Sequence, residues 1–416
     1  MSTVIEDVTA RKIFNSRGEE TIEVDVTTTA GFGRASAPSG ASRGKAEVAP
    51  YPEGGVDQAI RKVEELIAPE LIGMNAEEQE QIDILLHKID GTRDFKNIGG
   101  NTAYSVSLAT AEAASYSYGI PLFQQLGGYL VSELPYPLGN VLGGGRHTYG
   151  KTPDIQEFLV LPFKATSFSE AAKANVLVHR RVGSLLKKSD GSFTGGRGDE
   201  GAWAPSMGNE GALEIMVKAC EEVSQELGVE CGVGLDVAAS TLWRSKEKCY
   251  VYARDGVKRN AGEQMDFVLR LIKDYNLVYV EDPFHEEDFE SFAELTRKVE
   301  KCLISGDDLF ATNKRRLAQG IRVDSANAVI IKTNQVGTLT DAWETTKMAR
   351  KERYAPVMSH RSGETTDVHI AHLAVAFQCP IIKTGVMPGE RAAKINELIR
   401  VEEALGYRAK MSTLSF

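Results

Sequence analysis

The chain has 416 residues, 42% hydrophobic and 25% charged, with a formal net charge of −10. Such length and balance describe a globular protein of about two domains. No basic block offsets the acidic surplus, which argues against nonspecific binding to nucleic acid or to an anionic membrane surface, so an anionic substrate would need local cations.

Five scattered cysteines (Cys220, Cys231, Cys249, Cys302, Cys379) without a CxxC pair suit reduced thiols better than a disulfide framework or a zinc site. The amino terminus, MSTVIEDVTARKIF, lacks the apolar core of a signal peptide, and no apolar run reaches membrane-spanning length. The expected location is the cytoplasm.

Residues 1 to about 60 read as strands: TIEVDVTTTAGFGRASAP alternates apolar and polar positions, with a hairpin expected to turn at Gly31 and Gly33. From Val56 to Leu126 the period becomes helical, ending in the Ala-rich NTAYSVSLATAEAASYSYG. Strands followed by helices indicate an α+β domain over residues 1–126. GGYLVSELPYPLGN is the expected connector. Over residues 137–416 short apolar runs recur, each closed by a polar group and followed by a helical stretch: CGVGLDVAAS, LVYVEDPF, CLISGDDLF, AVIIKTNQ, APVMSHRS and PIIKTG. From Glu281 onward their ends lie roughly 25 residues apart, the length of a βαβ unit. Polar groups at every successive strand end favour a (β/α) barrel over a doubly wound open sheet, which would concentrate them at one switch point.

The strand ends carry the chemistry. Asp236, Glu281 and Asp307 end three strands; each alone could be a helix cap, but three converging carboxylates need a cation, and hard oxygen ligands favour Mg²⁺. The next strand ends are cationic: Lys332, then His360, Arg361 and Ser362, then Lys383. Such a rim suits a metal ion beside an anionic substrate bearing carboxylate or phosphate, with Arg361 fit for a forked contact. A lysine there could have its pKa lowered by metal and neighbouring cations and act as a base. GGRGDEGAWAP carries Asp199 and Glu200, and RHTYGKTPDIQEFLVLP carries His147, Gln156 and Glu157. Two nearby glutamates can share a proton and keep one of them protonated for use as a general acid. The Arg197-Gly198-Asp199 adhesion signal reads as coincidence, and the glycine-rich pieces match no nucleotide-binding loop. His179 is expected on a solvated helix face, His285 and His372 have no assigned role, and His369 is a weak candidate for supporting the site.

Together, SRG, APSGASRG, NVLGGGRH, QEF, GDEG, GLDVAAS, VEDPF, GDDL, IKTNQVGTL, SHRSGETTD, IKTG and RVEEALG make the chain resemble the enolases, or phosphopyruvate hydratases, over nearly its whole length. The resemblance implies an α/β protein with an amino-terminal α+β lid domain followed by a modified TIM-type (β/α)8 barrel beginning ββαα. It implies dehydration of 2-phosphoglycerate, a small phosphorylated carboxylate, to phosphoenolpyruvate, with a lysine base and Mg²⁺ as in enolase-superfamily sites generally. Lys332 would be the base, and Glu200 with Glu157 the acid pair. Asp236, Glu281 and Asp307 would hold the first Mg²⁺, and Ser42 a second that arrives with substrate. Lys383 would grip the carboxylate and Arg361 with Ser362 the phosphate, while His147, Gln156 and His360 would line the site. Enolase-like chains are commonly homo-oligomers, dimers or octamers. Departures fall at Glu19-Glu20, Arg43, Gly143 and Ala202-Trp203; Arg43 and Trp203 flank Ser42 and Glu200. They leave open an enolase paralogue acting on a related phospho- or phosphono-carboxylate, and beyond that a noncatalytic scaffold.

Overall fold

In the computed structural model, residues 2–41 and 44–414 are described. Three antiparallel strands, β1 (Ile5–Phe14), β2 (Glu20–Thr28) and β3 (Phe32–Ser36), open the chain in the order β1-β2-β3. Alternation in β2 buries Ile22, Val24 and Val26 on one face. Only Gly31 lies at the expected turn, its N–H donating to Thr28 Oγ1 at 2.8 Å. Gly33 lies inside β3, opposite Val26. The helix Gly100–Tyr118 explains both glycines: a Cβ on Gly33 would lie 2.0 Å from the Ala109 carbonyl oxygen, and one on Gly31 2.4 Å from that of Ala113. That helix is buried on nearly all sides, and its Ala, Ser and Thr side chains let the sheet approach so closely.

Eight strands then close a barrel: β4 (Tyr136–Gly143), β5 (Glu157–Leu161), β6 (Gly232–Asp236), β7 (Tyr279–Glu281), β8 (Leu303–Gly306), β9 (Ala328–Ile331), β10 (Ala355–Ser359) and β11 (Ile381–Gly385). Strand β5 runs antiparallel to both β4 and β6, and two helices, Phe168–Ser189 and Asn209–Leu227, follow it in succession. The start is therefore ββαα, after which every barrel pairing is parallel. Reversal of β5 puts its first residue, Glu157, at the rim where the other strands end; it pairs with Gly143 on one side and Asp236 on the other. A three-stranded excursion between β6 and β7 (Trp243–Arg244, Cys249–Tyr252, Val257–Arg259) interrupts the βα rhythm.

All five cysteines are free and buried. Among the described residues no helix is long and apolar enough to cross a membrane. His179 is not on a solvated face. It is buried, its Nε2 lies 3.0 Å from the Gly201 carbonyl, and its ring stacks 4.9 Å from that of Trp203, because this helix face packs on the loop bearing Glu200. His285 stacks on Trp243 at 4.4 Å, and His372 lies 3.2 Å from Glu397.

His369 links the two parts of the chain. Its Nε2 is 3.2 Å from Glu112 on the long amino-terminal helix, and its Nδ1 is 3.5 Å from Asp367, whose carboxylate accepts the Ser36 N–H at 2.7 Å. Burial favours the neutral ring, but Asp367 and Glu112 outweigh it and raise the pKa to about 10. An unfolded histidine titrates near ~6.5. The clasp therefore contributes fully below about pH 6.5 and is lost as pH rises toward 10. Melting curves across that window should show Tm falling with pH and His369→Gln flattening the fall; equal slopes in the two proteins would remove His369 as the cause.

Candidate active site

Strand register assembles the acidic side of the rim. Asp236 sits opposite Glu281 across β6 and β7 and opposite Glu157 across β6 and β5, so three carboxylates from adjacent strands crowd one spot, all buried. The Lys383 amine, from β11, reaches all three: 2.8 Å to Glu281 Oε1, 2.9 Å to Asp236 Oδ2 and 3.2 Å to Glu157 Oε2. Burial, then the charge of Asp236, pushes the Glu281 carboxyl up to about 8 even beside that amine. Burial opposes charge on Lys383 too, but the surrounding acids prevail and hold it ionised.

Asp307, just past β8, pairs with the Lys332 amine past β9, and its Oδ1 accepts from Gln335 Nε2 at 3.1 Å. Burial, the largest influence, lowers the Lys332 pKa, as do Arg361 and Lys383, but the nearby acids, Asp307 first and then Glu281, together prevail and raise it. The acids also group differently. Among the described residues, ligand atoms within 4.8 Å of one another occur in His147/Glu157/Glu200 and in Asp282/Asp307/Asp308. Asp236, Glu281 and Asp307 form no such group; lysine amines lie among them. Asp282 explains the second cluster, since its buried carboxylate accepts the N–H groups of Asp307 at 3.0 Å and Asp308 at 2.8 Å and draws that turn inward.

The second carboxylate centre joins Glu157 to Glu200. His147 Nδ1 lies 3.5 Å from Glu157 and 3.7 Å from Glu200. Glu200 Oε2 accepts from Asn140 Nδ2 at 2.9 Å and lies 3.1 Å from His360 Nε2. Burial and the charge of Glu200 push the Glu157 carboxyl well up, whereas Glu200, despite its burial, is held well down by His360 and His147. The two carboxyls are thus driven in opposite directions, Glu157 toward its protonated form and Glu200 toward its ionised form. Asn140, which donates to Glu200, and the two histidines beside it favour the negative form of Glu200.

Arg361 donates to Asn334 Oδ1 at 2.9 Å and lies 3.1 Å from Glu47 Oε2. Ser362 Oγ accepts the Ala41 N–H at 2.6 Å, docking the glycine-rich loop onto the barrel. Ser42 and Arg43 themselves lie outside the described residues. One cavity is lined by His147, Gln156, Glu157, Glu200, Asp236, Asp307, Lys332, His360, Arg361, Ser362 and Lys383; Glu281, fully buried, touches the Lys383 amine and does not line the cavity. Gln156 Oε1 and His147 Nδ1 are buried there without a hydrogen-bond partner among the described residues, two polar atoms suited to a ligand.

Residues 5–126 match the family model described as Enolase, N-terminal domain, and residues 131–416 match Enolase, C-terminal TIM barrel domain. The chain belongs to the enolase family. It is 55% identical over 417 residues to the enolase of Methanothermobacter thermautotrophicus, covering 100% of both chains. To the enolase of Methanosphaera stadtmanae it is 57% identical over 406 residues, 97% of this chain and 98% of the other. The enolase of Pyrobaculum aerophilum is 48% identical over 416 residues, 99% of each.

Enolase-family membership implies a divalent metal. The donor set fits one: buried carboxylate oxygens, no thiolate among them, and a Glu281 carboxyl raised to about 8 by burial and then by the Asp236 charge, which added positive charge would relieve. Two departures noted in the sequence, Gly143 and Trp203, do not line the cavity. Trp203 anchors the loop that carries Glu200: its N–H donates to Val141 at 2.9 Å, its carbonyl accepts from Gly143, and its indole N–H donates to the His179 carbonyl at 2.8 Å.

Sequence reasoning missed several residues of this enolase-family site. Asn334, Gln335 and Glu364 lie inside quoted motifs, and their adjacency to Lys332 and Arg361 was the available signal. Asp282 and Asp308 directly follow two named acids. Glu47 follows the glycine-rich loop, and Asn140 occupies a strand read as a connector. Arg391 and Lys394, fully buried on the helix Gly389–Leu405, gave none, since charges spaced along a helix read as a solvated face.

Proposed function

We propose that this chain catalyses the reversible, Mg²⁺-dependent dehydration of 2-phosphoglycerate to phosphoenolpyruvate through an enolate intermediate. The observation that carries the reading is that one buried cavity is lined by Lys332, the neighbouring carboxyls of Glu157 and Glu200, Lys383 and Arg361.

Lys332 takes the proton from C2, and the C–H electrons move into the substrate carboxylate to give the enolate. Lys383 faces the developing carboxylate charge, and a fixed ammonium in a water-poor site stabilises it without reorganisation. When bound, Mg²⁺ supplies the remaining neutralisation; Asp236, Glu281 and Asp307 would hold one ion, and Ser42 a second that comes with substrate. The enolate then expels the C3 hydroxyl, which takes a proton from Glu200 and departs as water. Glu200 draws that proton from Glu157, with His147 beside both carboxylates. Arg361 and Ser362 hold the phosphate, which keeps the C2 hydrogen aimed at one amine. For Lys332 to act as base its bond to Asp307 must weaken, which a cation on that carboxylate would bring about. The same reading makes the protein a cytoplasmic homo-oligomer, dimer or octamer, with its catalytic part at residues 137–416 and a lid at 1–126.

A scaffold would have no reason to keep buried, costly charges together, yet every one remains. An absorbance assay of phosphoenolpyruvate formation tests the proposal. Folded protein should turn over 2-phosphoglycerate with Mg²⁺, lose at least about 10²-fold of its rate in excess chelator, and recover on adding Mg²⁺. Absence of product from folded, Mg²⁺-supplied protein would overturn it in favour of a related phospho-carboxylate.

A further inference from the structure

The helix Gly389–Leu405 sits behind the rim, and its third residue, Arg391, is fully buried. Its guanidinium reaches two loops at once. Nη1 lies 2.8 Å from His360 Nδ1 and donates to the Arg361 carbonyl at 2.6 Å, while Nη2 donates to the Ser362 carbonyl at 2.6 Å and to the Asp199 carbonyl at 3.4 Å. Glu390 lies 3.4 Å from Nε.

A guanidinium has no acceptor, so His360 Nδ1 must accept the Arg391 bond. The Gly385 N–H, 3.3 Å from the same nitrogen, makes the same demand. The ring proton is thereby assigned to Nε2, the atom 3.1 Å from Glu200 Oε2. The remaining contacts hold the backbone at the residue before Glu200 and along the stretch that bears Arg361 and Ser362. Simple helix anchorage would not demand a charge here, because a buried guanidinium is costly unless its donors are used, and both terminal nitrogens of this one are spent on the two loops.

We infer that Arg391 is a positioning residue for the acid half of the reaction: it fixes the Nε2–H tautomer of His360 and, through the two loop backbones, the placement of Glu200 relative to the phosphate-gripping residues. This rests on the dehydration proposed above.

Arg391→Ala and Arg391→Lys test it in the full-length protein. Arg391→Ala should lower kcat for 2-phosphoglycerate by about 10²-fold, the scale of a small misplacement of reacting groups, with KM within about threefold of wild type. Millimolar guanidinium chloride should restore part of the rate, which a merely loosened helix would not show. In ¹⁵N-histidine spectra the His360 signal should pass from a single Nε2–H tautomer in wild type to a mixture in Arg391→Ala. Arg391→Lys keeps the buried charge but not the fork, and should give an intermediate kcat and the same tautomer mixing; it carries the test alone if the alanine protein does not fold. A folded variant with kcat within twofold of wild type, or one with lost kcat, an unchanged His360 signal and no rescue, overturns the inference. A wild-type protein inactive on 2-phosphoglycerate instead overturns the dehydration reading, and the tautomer measurement still decides what Arg391 does.

Discussion

Lys332→Ala is expected to lower kcat for 2-phosphoglycerate dehydration by about 10³-fold or more, toward the upper part of what a positioned general base contributes. The amine follows β9 into the cavity, has Asp307 as its carboxylate partner, and has only 12% of its side chain exposed. Alanine removes the acceptor for the C2 proton and leaves the Asp307 charge less compensated, so rate should fall far more than stability. Lys332→Arg should fail to restore the rate, since a guanidinium stays protonated at any working pH. The deciding measurement is exchange of the C2 hydrogen with deuterated solvent, read by NMR under turnover conditions. Lys332→Ala should abolish it; exchange at the wild-type rate in that variant would assign proton removal to another group.

Glu200→Gln is expected to cost about 10²- to 10³-fold in kcat while leaving C2 exchange in place. Glutamine keeps the shape and the Asn140 contact but cannot pass a proton to the departing hydroxyl. Enolate formation, driven by Lys332 and stabilised near Lys383, would continue and reverse without water being lost. The two substitutions thus separate the halves of the reaction, one blocking exchange and the other only dehydration. Dehydration within threefold of wild type in Glu200→Gln would remove Glu200 from the acid role. Glu157→Gln offers a further contrast, because Glu157 is the member of the pair whose pKa is raised.

The barrel was legible because each strand delivers one polar residue where its apolar run stops, and a run followed by a charge survives in one dimension. Gly33 was misread because a glycine in a turn and a glycine pressed against a helix backbone look alike until the helix is in place. His179 was misread for a related reason: helical period shows that a face exists, and the loop carrying Trp203 decides that this face is covered. In the site, the residue types were visible but their protonation was not. Whether Glu157 or Glu200 holds the proton depends on Asn140, His147 and His360, three neighbours drawn from different segments. Lys332 likewise balances its burial against the acids Asp307 and Glu281, which come from two other strand ends. Arg391 shows the limit most plainly, as a charge on an apparently ordinary helix that turns out to face inward.

The reversed β5 has a consequence for how the mouth of the barrel can vary. In a βα unit the chain leaves a strand at the rim and returns through a helix to start the next from the floor. Between β4 and β5 the chain leaves and re-enters on the same side, with His147 at one end of the connection and Glu157 at the other. Residues inserted or removed between these two would reshape the entrance above the reacting groups while the staves beneath kept their spacing, so this span, like the excursion after β6, is a place where the pocket can adapt.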